Sequence, residues 1–263
     1  MSVSRRRLLQ IAALGAAAGC SATDSTGRPR ASPRANQTPA DTSDRSVTAE
    51  VGSPSASTST SKLGTAPELV HGERSATFVA LTFHGAGDPA IARAVLHELG
   101  QSQVRATVLA VGTWLESEPA MAKRVLSGGH ELGNHTQHHL PMLGLGANTA
   151  HQEIVECART LRRLTGSPGR WFRASGTQHT TRIIRKAAAR AGYAQCLSYD
   201  VDSLDWTDPG PAAIVRAVLK AARGGSIVSL HLGHPGTVAA LPPLLDALRQ
   251  RGLKPTSVGE LVA

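Results

Sequence analysis

Histidines that could transfer protons or bind a metal ion end two of the apolar runs in this sequence. The run "LTFHGAGDP" reaches His84, and the run "IVSLHLG" reaches His231. A third run leads into "NHTQHH", in which His135 and His139 are four residues apart. On a helical turn this spacing places two imidazoles on one face, where they can share a metal ion, and His138 offers an alternative at a spacing of three.

Two further strand-like runs also end at ionisable residues. Arg173 ends "RWFRA", and Asp202 lies within "YDVDSLDW". In β/α folds the carboxyl ends of the strands open on one face, and that face carries the chemistry. Satisfied core histidines and surface charges would not concentrate at one end of the strands. The pattern therefore predicts a functional site on that face.

Strand-like runs alternate with amphipathic helical patterns from residue 75 onward, which predicts the elements that position this site. Such alternation favours parallel strands joined by right-handed crossovers, and seven units suit an α/β fold of the (β/α)7 barrel type. An open doubly wound sheet is the alternative, although no glycine-rich nucleotide loop supports it. The seven predicted strands are "TFVALTF", "RATVLAV", "HELGN", "RWFRA", "QCLSYDV", "GSIVSLHL" and "GLKPTSV".

The amino-terminal part of the chain is typical of an exported protein. Residues 1–20 combine a basic start with a short apolar run, and the "SRRRLLQ" stretch fits a twin-arginine signal. Cys20 follows Ala-Ala-Gly, as in the lipidation site of bacterial lipoproteins, so we expect a membrane-anchored lipoprotein or a secreted protein. Residues 21–70 are rich in Ser, Thr, Pro and Ala, which predicts a disordered tether, or alternatively a stalk for glycans.

The net charge limits the expected binding partners, and the cysteine content limits the expected disulfides. The formal net charge of +9 suits an acidic polymer surface, but the basic residues are spread over helix faces and aromatic residues make up only 3%. We therefore expect no nucleic-acid partner. Cys157 and Cys196 are predicted to be two buried free thiols, with a disulfide as the alternative after export.

Five motifs resemble those of one known family in order and approximate spacing. The motifs are "ALTFHGAGDP", "GGHELGNHTQHH", "WFRAS", "VDSLDW" and "IVSLHLG". Together they resemble the polysaccharide deacetylase (NodB homology) domain, over residues 75–263. The resemblance implies a distorted (β/α)7 barrel and a divalent metal, and we expect zinc because zinc suits a histidine-rich site best. It also implies removal of acetyl groups from N-acetylated sugars in peptidoglycan or a chitin-like polysaccharide.

The resemblance assigns roles to individual residues. His135 and His139 match the metal-binding histidines, and Arg173 matches the arginine that braces the catalytic base. Asp202 matches the aspartate that orients the catalytic histidine, and His231 matches that histidine, the general acid. Such a site would polarise the acetamide carbonyl and protonate the departing sugar nitrogen.

The first motif departs from the family pattern T-F-D-D-G, because this chain has His84 and Gly85 at the two aspartate positions. The base and the third metal ligand of the family are therefore both replaced. We expect His84 to act as a third metal ligand or as the replacement base. Asp88 is a second candidate for the missing carboxylate, although it also suits the N-cap of the next helix. The alternative function is an inactive domain that binds glycan or cell wall.

Overall fold

Strands and helices alternate through residues 64–263, the part of the chain that the computed structural model describes. The strands are β1 (Glu68–Leu69), β2 (Phe78–Gly85), β3 (Thr107–Ala110), β4 (Glu131–Asn134), β5 (Cys196–Leu197), β6 (Val201–Asp202), β7 (Ile227–His231) and β8 (Lys254–Thr256). The helices are α1 (Pro89–Gln101), α2 (Gly112–Ser117), α3 (Ala120–Ser127), α4 (Ala147–Thr165), α5 (Arg182–Arg190), α6 (Pro211–Ala221), α7 (Pro235–Gln250) and α8 (Val258–Leu261).

The strands pair in parallel around a central β2. Their order is β4-β3-β2-β7-β6, with β8 also pairing β2 and β1 pairing β5. Single bridges from Phe172 to Asn134 and to Cys196 link β4 to β5. The predicted α/β fold of distorted barrel type is therefore confirmed, although no continuous hydrogen-bonded ladder closes this barrel.

Alternation along β2 decides which side chains reach the barrel interior. Leu81 and Phe83 pack outward in the core shared with the surrounding helices, whereas Ala80 lies with Trp171 in the interior core. Because successive strand residues point to opposite faces, Thr82 and His84 share the inward face with Ala80. Val258 and Leu261 of α8 join the interior core, so this end of the barrel is closed and the carboxyl end remains for the site.

One predicted strand and one predicted boundary are wrong. "RWFRA" does not form a strand, because only Phe172 makes ladder contacts before the chain turns at Ser175 and Gly176. The tether prediction also extends too far, since Ala66 is buried and β1 pairs with β5. The predicted export signal, Cys20 and most of the tether lie outside the described residues.

Other sequence predictions meet direct observations. Asp88 caps α1, its Oδ1 accepting the Ala90 N–H at 2.6 Å, as the capping interpretation expected. Cys157 and Cys196 are buried free thiols, as expected. No helix within residues 64–263 has the length and apolar composition needed to cross a membrane.

Candidate active site

A cavity of about 550 Å³ opens at the carboxyl ends of the strands. Its lining residues are His84, His139, Gly176, Thr177, Gln178, Tyr199, Asp202, Trp206 and His231. Strands deliver the two residues at its floor, because His84 on β2 and His231 on β7 are register partners. The structure therefore brings His84, His139, Asp202 and His231, four of the predicted site residues, to one cavity at the carboxyl ends of the strands.

The imidazoles of His84 and His231 belong to one hydrogen-bonded chain. Arg173 Nη1 lies 3.2 Å from His84 Nε2, and His84 Nδ1 lies 2.9 Å from His231 Nε2. His231 Nδ1 in turn lies 2.7 Å from Asp205 Oδ1. The chain thus runs from a guanidinium to a carboxylate through two imidazoles.

The two ends of this chain fix every proton within it. Asp205 as a carboxylate only accepts, so His231 donates from Nδ1 and keeps a lone pair on Nε2. Arg173 only donates, so His84 accepts at Nε2 and carries its proton on Nδ1. His84 then donates that proton to His231 Nε2, and both imidazoles are neutral. Burial, together with the nearby His135 and Arg173, holds the pKa of His84 well below its usual value, in agreement with this assignment.

Arg173 is buried and holds His84 in place. Its guanidinium also donates to Thr82 Oγ1 at 2.8 Å and to the carbonyls of Ser198 and Leu197 at 3.0 and 3.3 Å. Burial lowers the pKa of Arg173 to about 9. Within residues 64–263 it forms no salt bridge, so its charge is stabilised by neutral acceptors and by the Tyr199 ring, 5.2 Å from Cζ.

Asp205, rather than Asp202, is the residue that orients His231. The Asp205 carboxylate also accepts the His231 backbone N–H at 2.8 Å and the Thr237 hydroxyl at 2.6 Å. Asp202 instead accepts the Leu204 N–H at 2.9 Å and makes a local turn. The prediction for Asp202 is wrong because Leu204 adopts a left-handed φ of 57°, and the following 3₁₀ turn carries Asp205 inward.

His135 presents a free nitrogen to the site. Its Nδ1 donates to the Arg173 carbonyl at 2.9 Å, so Nε2 carries a lone pair. That Nε2 is buried and has no hydrogen-bond partner among the residues described. The His139 ring centroid lies 4.9 Å from that of His135. Two histidines with one orphaned buried nitrogen fit a divalent cation, as the sequence predicted.

The hydrogen bonds of His84 favour its expected role as a base over its expected role as a third metal ligand. Both ring nitrogens of His84 already make hydrogen bonds, and Gly85 at the family's ligand position has no side chain. Within the described chain, the three-residue group close enough to hold an ion is His138, Glu153 and Glu156 instead. His138, the alternative to His139, does not line the cavity: its side chain is half exposed and its Nδ1 contacts Glu153 at 2.7 Å.

Comparison with known proteins identifies the family to which the chain belongs. A family profile described as polysaccharide deacetylase matches residues 71–196. A peptidoglycan-N-acetylglucosamine deacetylase of Bacillus cereus is 34% identical over 188 residues, covering 70% of this chain and 87% of that protein. The chain belongs to the polysaccharide deacetylase family. A chitooligosaccharide deacetylase of Sinorhizobium fredii is 33% identical, over 66% of this chain and 86% of that protein.

This polysaccharide deacetylase domain also resembles solved structures of the CE4 family. A mutant of a CE4 family pseudoenzyme from Bacillus anthracis, described as having restored enzymatic activity, superposes with a TM-score of 0.71 at 25% identity. That likeness covers 75% of this chain and 72% of the pseudoenzyme. The solved structures that this chain resembles therefore include a CE4 family pseudoenzyme.

Proposed function

We propose that this chain is a polysaccharide N-deacetylase that hydrolyses the acetamide of N-acetylated sugars in peptidoglycan or a chitin-like polymer. Its membership of the family and the activities named for its relatives support this reaction class. The observation that carries the proposal is the hydrogen-bonded chain of Arg173, His84, His231 and Asp205. This chain lies on the floor of the cavity, with the free Nε2 of His135 nearby.

His135 and His139 are the residues that would hold a divalent cation, and zinc suits their imidazole nitrogens. Burial lowers the pKa of both histidines, so both are neutral and able to donate a lone pair at neutral pH. A cation bound there would polarise the acetamide carbonyl and lower the pKa of a water molecule. His84 remains in the hydrogen-bonded chain and does not serve as a ligand.

His84 takes the position of the family's base and works through His231. The link from Arg173 to His84 Nε2 is the longest in the chain, so Nε2 is the nitrogen that can exchange its partner for water. When Nε2 accepts a proton from water, the proton on Nδ1 passes to His231 Nε2. His84 therefore gains one proton, loses one and stays neutral, as its lowered pKa requires.

His231 receives the positive charge and returns the proton. Its Nδ1 is 2.7 Å from the Asp205 carboxylate, which stabilises an imidazolium. Once substrate replaces His84 as the partner of Nε2, His231 donates to the sugar nitrogen that leaves. Half-exposed Trp206 and the ring of Tyr199 border the same cavity and offer apolar faces to a sugar ring.

A second function, glycan binding without turnover, is favoured by one observation. His84 occupies Nε2 of His231 in the resting site, so the general acid already has a partner where the substrate nitrogen would bind. The likeness to a CE4 pseudoenzyme is consistent with this alternative. In that case Trp206 and Tyr199 would bind the polymer while no acetate is released.

Acetate release from N-acetylglucosamine oligomers in the presence of zinc separates these functions. We expect His84→Ala and His231→Ala each to lower turnover by about 10²-fold or more, because both carry the proton. His84→Ala should leave zinc content unchanged, whereas the His135→Ala/His139→Ala double variant should lose it. A wild type that binds the oligomers but releases no acetate would establish the second function.

Asp202→Asn is the matched control for Asp205→Asn. Each change replaces one aspartate carboxylate of the same short stretch by an amide, but only Asp205 contacts His231. We expect Asp205→Asn to lose most of the turnover and Asp202→Asn to keep most of it. The reverse order would contradict the assigned dyad.

We also propose that the mature protein acts outside the cytoplasmic membrane, exported by the twin-arginine route and anchored through Cys20. The basic start, the short apolar run and the Ala-Ala-Gly-Cys order support this location. Cys20→Ala should move the protein from the membrane fraction to the medium. A wild type found entirely in the medium would remove the lipid anchor from the proposal.

A further inference from the structure

The segment that presents His135 and His139 is not the helical turn suggested by their spacing. Thr136 and His139 have positive φ angles of 70° and 58°, in the left-handed region that non-glycine residues rarely adopt. Such a backbone conformation is strained and persists only when its surroundings determine it. Contacts outside the segment must therefore hold this backbone in place.

Helix α4 supplies several of those contacts, and α2 supplies others, because the Gly112 and Thr113 N–H groups donate to the carbonyls of Thr136 and Gln137 at 3.0 and 2.9 Å. Asn134 donates to the Ile154 carbonyl at 2.8 Å, while its own Oδ1 accepts the Thr136 N–H at 2.8 Å. The Gln137 N–H donates to the Glu153 carbonyl at 3.0 Å. The first part of the segment is thus attached to two successive carbonyls of the helix, those of Glu153 and Ile154.

The Glu153 side chain attaches the second part. Its Oε2 accepts the His138 backbone N–H at 2.8 Å, and its Oε1 contacts His138 Nδ1 at 2.7 Å. Glu153 is only 4% exposed, and a buried carboxylate is costly unless it is hydrogen-bonded. Among the residues described, His138 provides both of its side-chain hydrogen bonds.

We propose that Glu153 is a positioning residue for the metal-binding segment. By clamping the backbone and ring of His138, its carboxylate fixes the backbone at His139 and hence the direction of the His139 imidazole towards His135. This inference rests on the proposed metal site, but it concerns a residue that touches neither substrate nor ion. Residues that orient metal ligands typically change metal affinity by 10–100-fold when they are replaced.

Zinc affinity in a competition assay with a chelator tests this role, with Glu156 as the control on the same helix. Glu153→Met keeps the shape of the side chain but neither hydrogen bond, and we expect zinc binding to weaken at least tenfold. Glu153→Gln can accept from the His138 N–H and donate to Nδ1 after His138 changes tautomer, so we expect affinity within about threefold of wild type. The Glu156 carboxylate accepts a hydrogen bond only from Gln152 within the described chain. Glu156→Met should therefore bind zinc with an affinity within about twofold of wild type.

Other outcomes would overturn the proposal. A wild type with two bound zinc ions, one of them lost in both Glu153→Gln and Glu156→Met, would make this cluster a second metal site. Unchanged zinc affinity in a less stable Glu153→Met would reduce Glu153 to a structural role. If Glu153→Met does not fold, His138→Ala removes only the ring half of the clamp, and unchanged zinc affinity there would also count against positioning.

Amide hydrogen exchange of the metal-free protein keeps this inference separate from the proposed function. We expect exchange over residues 136–139 to accelerate at least tenfold in Glu153→Met and to stay near the wild-type rate in Glu153→Gln. A wild type that binds no zinc would overturn the metal site while leaving this measurement decisive for the clamp. Equal exchange in all three proteins would overturn the clamp itself.

Discussion

Restoring the family's aspartate at position 85 should not restore a metal ligand. Gly85 follows Leu81 and Phe83 on the outward face of β2, and it pairs with Ala110 of β3. A Cβ at this position would lie 3.0 Å from Val108 Cγ1 and 3.1 Å from Ala110 Cα. The carboxylate of Gly85→Asp would therefore enter the core between sheet and helices rather than the cavity.

The magnitude follows from two costs. Overpacking a core costs about 1–3 kcal/mol, and burying a polar group without partners costs about 1–3 kcal/mol more. For a domain of this size each kcal/mol lowers the melting temperature by roughly 2–4 °C. We therefore expect Gly85→Asp to melt at least about 5 °C below wild type and to gain no zinc affinity.

Calorimetry and chelator competition measure the two effects. Gly85→Ala is the control, because it adds the same Cβ without the carboxylate and should show only the overpacking cost. A Gly85→Asp variant that melts like wild type and binds zinc more tightly would show that β2 bulges at its end. The orientation of His84 derived from the strand alternation would then be wrong as well.

Three further predictions concern buried groups. Burial alone would raise the pKa of Asp205, but the hydrogen bonds from His231 and Thr237 hold this pKa below its ordinary value of 3.8. The Asp205 carboxylate therefore stabilises the fold above pH 3.8, and this stabilisation is lost as the pH falls through the lowered pKa. Urea unfolding between pH 6 and pH 3 should show a smaller acid loss in Asp205→Asn than in wild type. Thr237→Val removes a hydrogen bond to this carboxylate and should cost about 1.5–3 kcal/mol of unfolding free energy, with Thr237→Ser close to wild type. Burial raises the pKa of the Cys157 and Cys196 thiols to about 12, so in a Cys20→Ala background neither should react with a thiol reagent until urea is added.

The sequence predicted those parts of the site that regular strands position. His84 and His231 follow apolar runs whose alternation and punctuation indicate strands, and β2 and β7 bring the two residues into register. The face that carries the site followed from parallel topology alone. The free thiols and the Asp88 cap followed from local patterns of the same kind.

Irregular backbone explains what the sequence did not predict. Asp202 and Asp205 lie in the same short stretch, and only the left-handed Leu204 decides which carboxylate turns inward. The segment from His135 to His139 depends on contacts with a helix that begins eight or more residues later in the chain. Such long-range contacts leave no periodic signal in a single sequence, so a helical turn was the expected but wrong local structure.

The contact between Arg173 and His84 could not be predicted from the sequence pattern, because it depends on how far the Arg173 side chain reaches across the barrel. Arg173 crosses the barrel to Thr82 and His84, and its hydrogen bond occupies the Nε2 lone pair of His84 in the resting site. The sequence left His84 open as a ligand or a base. The hydrogen-bonded chain favours the second of these roles.

Acetate release by the wild-type chain, supplied with zinc at neutral pH, tests the central claim most directly. Peptidoglycan fragments and N-acetylglucosamine oligomers serve as substrates, and Asp205→Asn provides the background, because its cavity is intact while its dyad is broken. We predict catalytic release of acetate from at least one substrate by wild type, at about 10²-fold or more above that of Asp205→Asn. Equal release by the two proteins, or none from either substrate, would contradict the account.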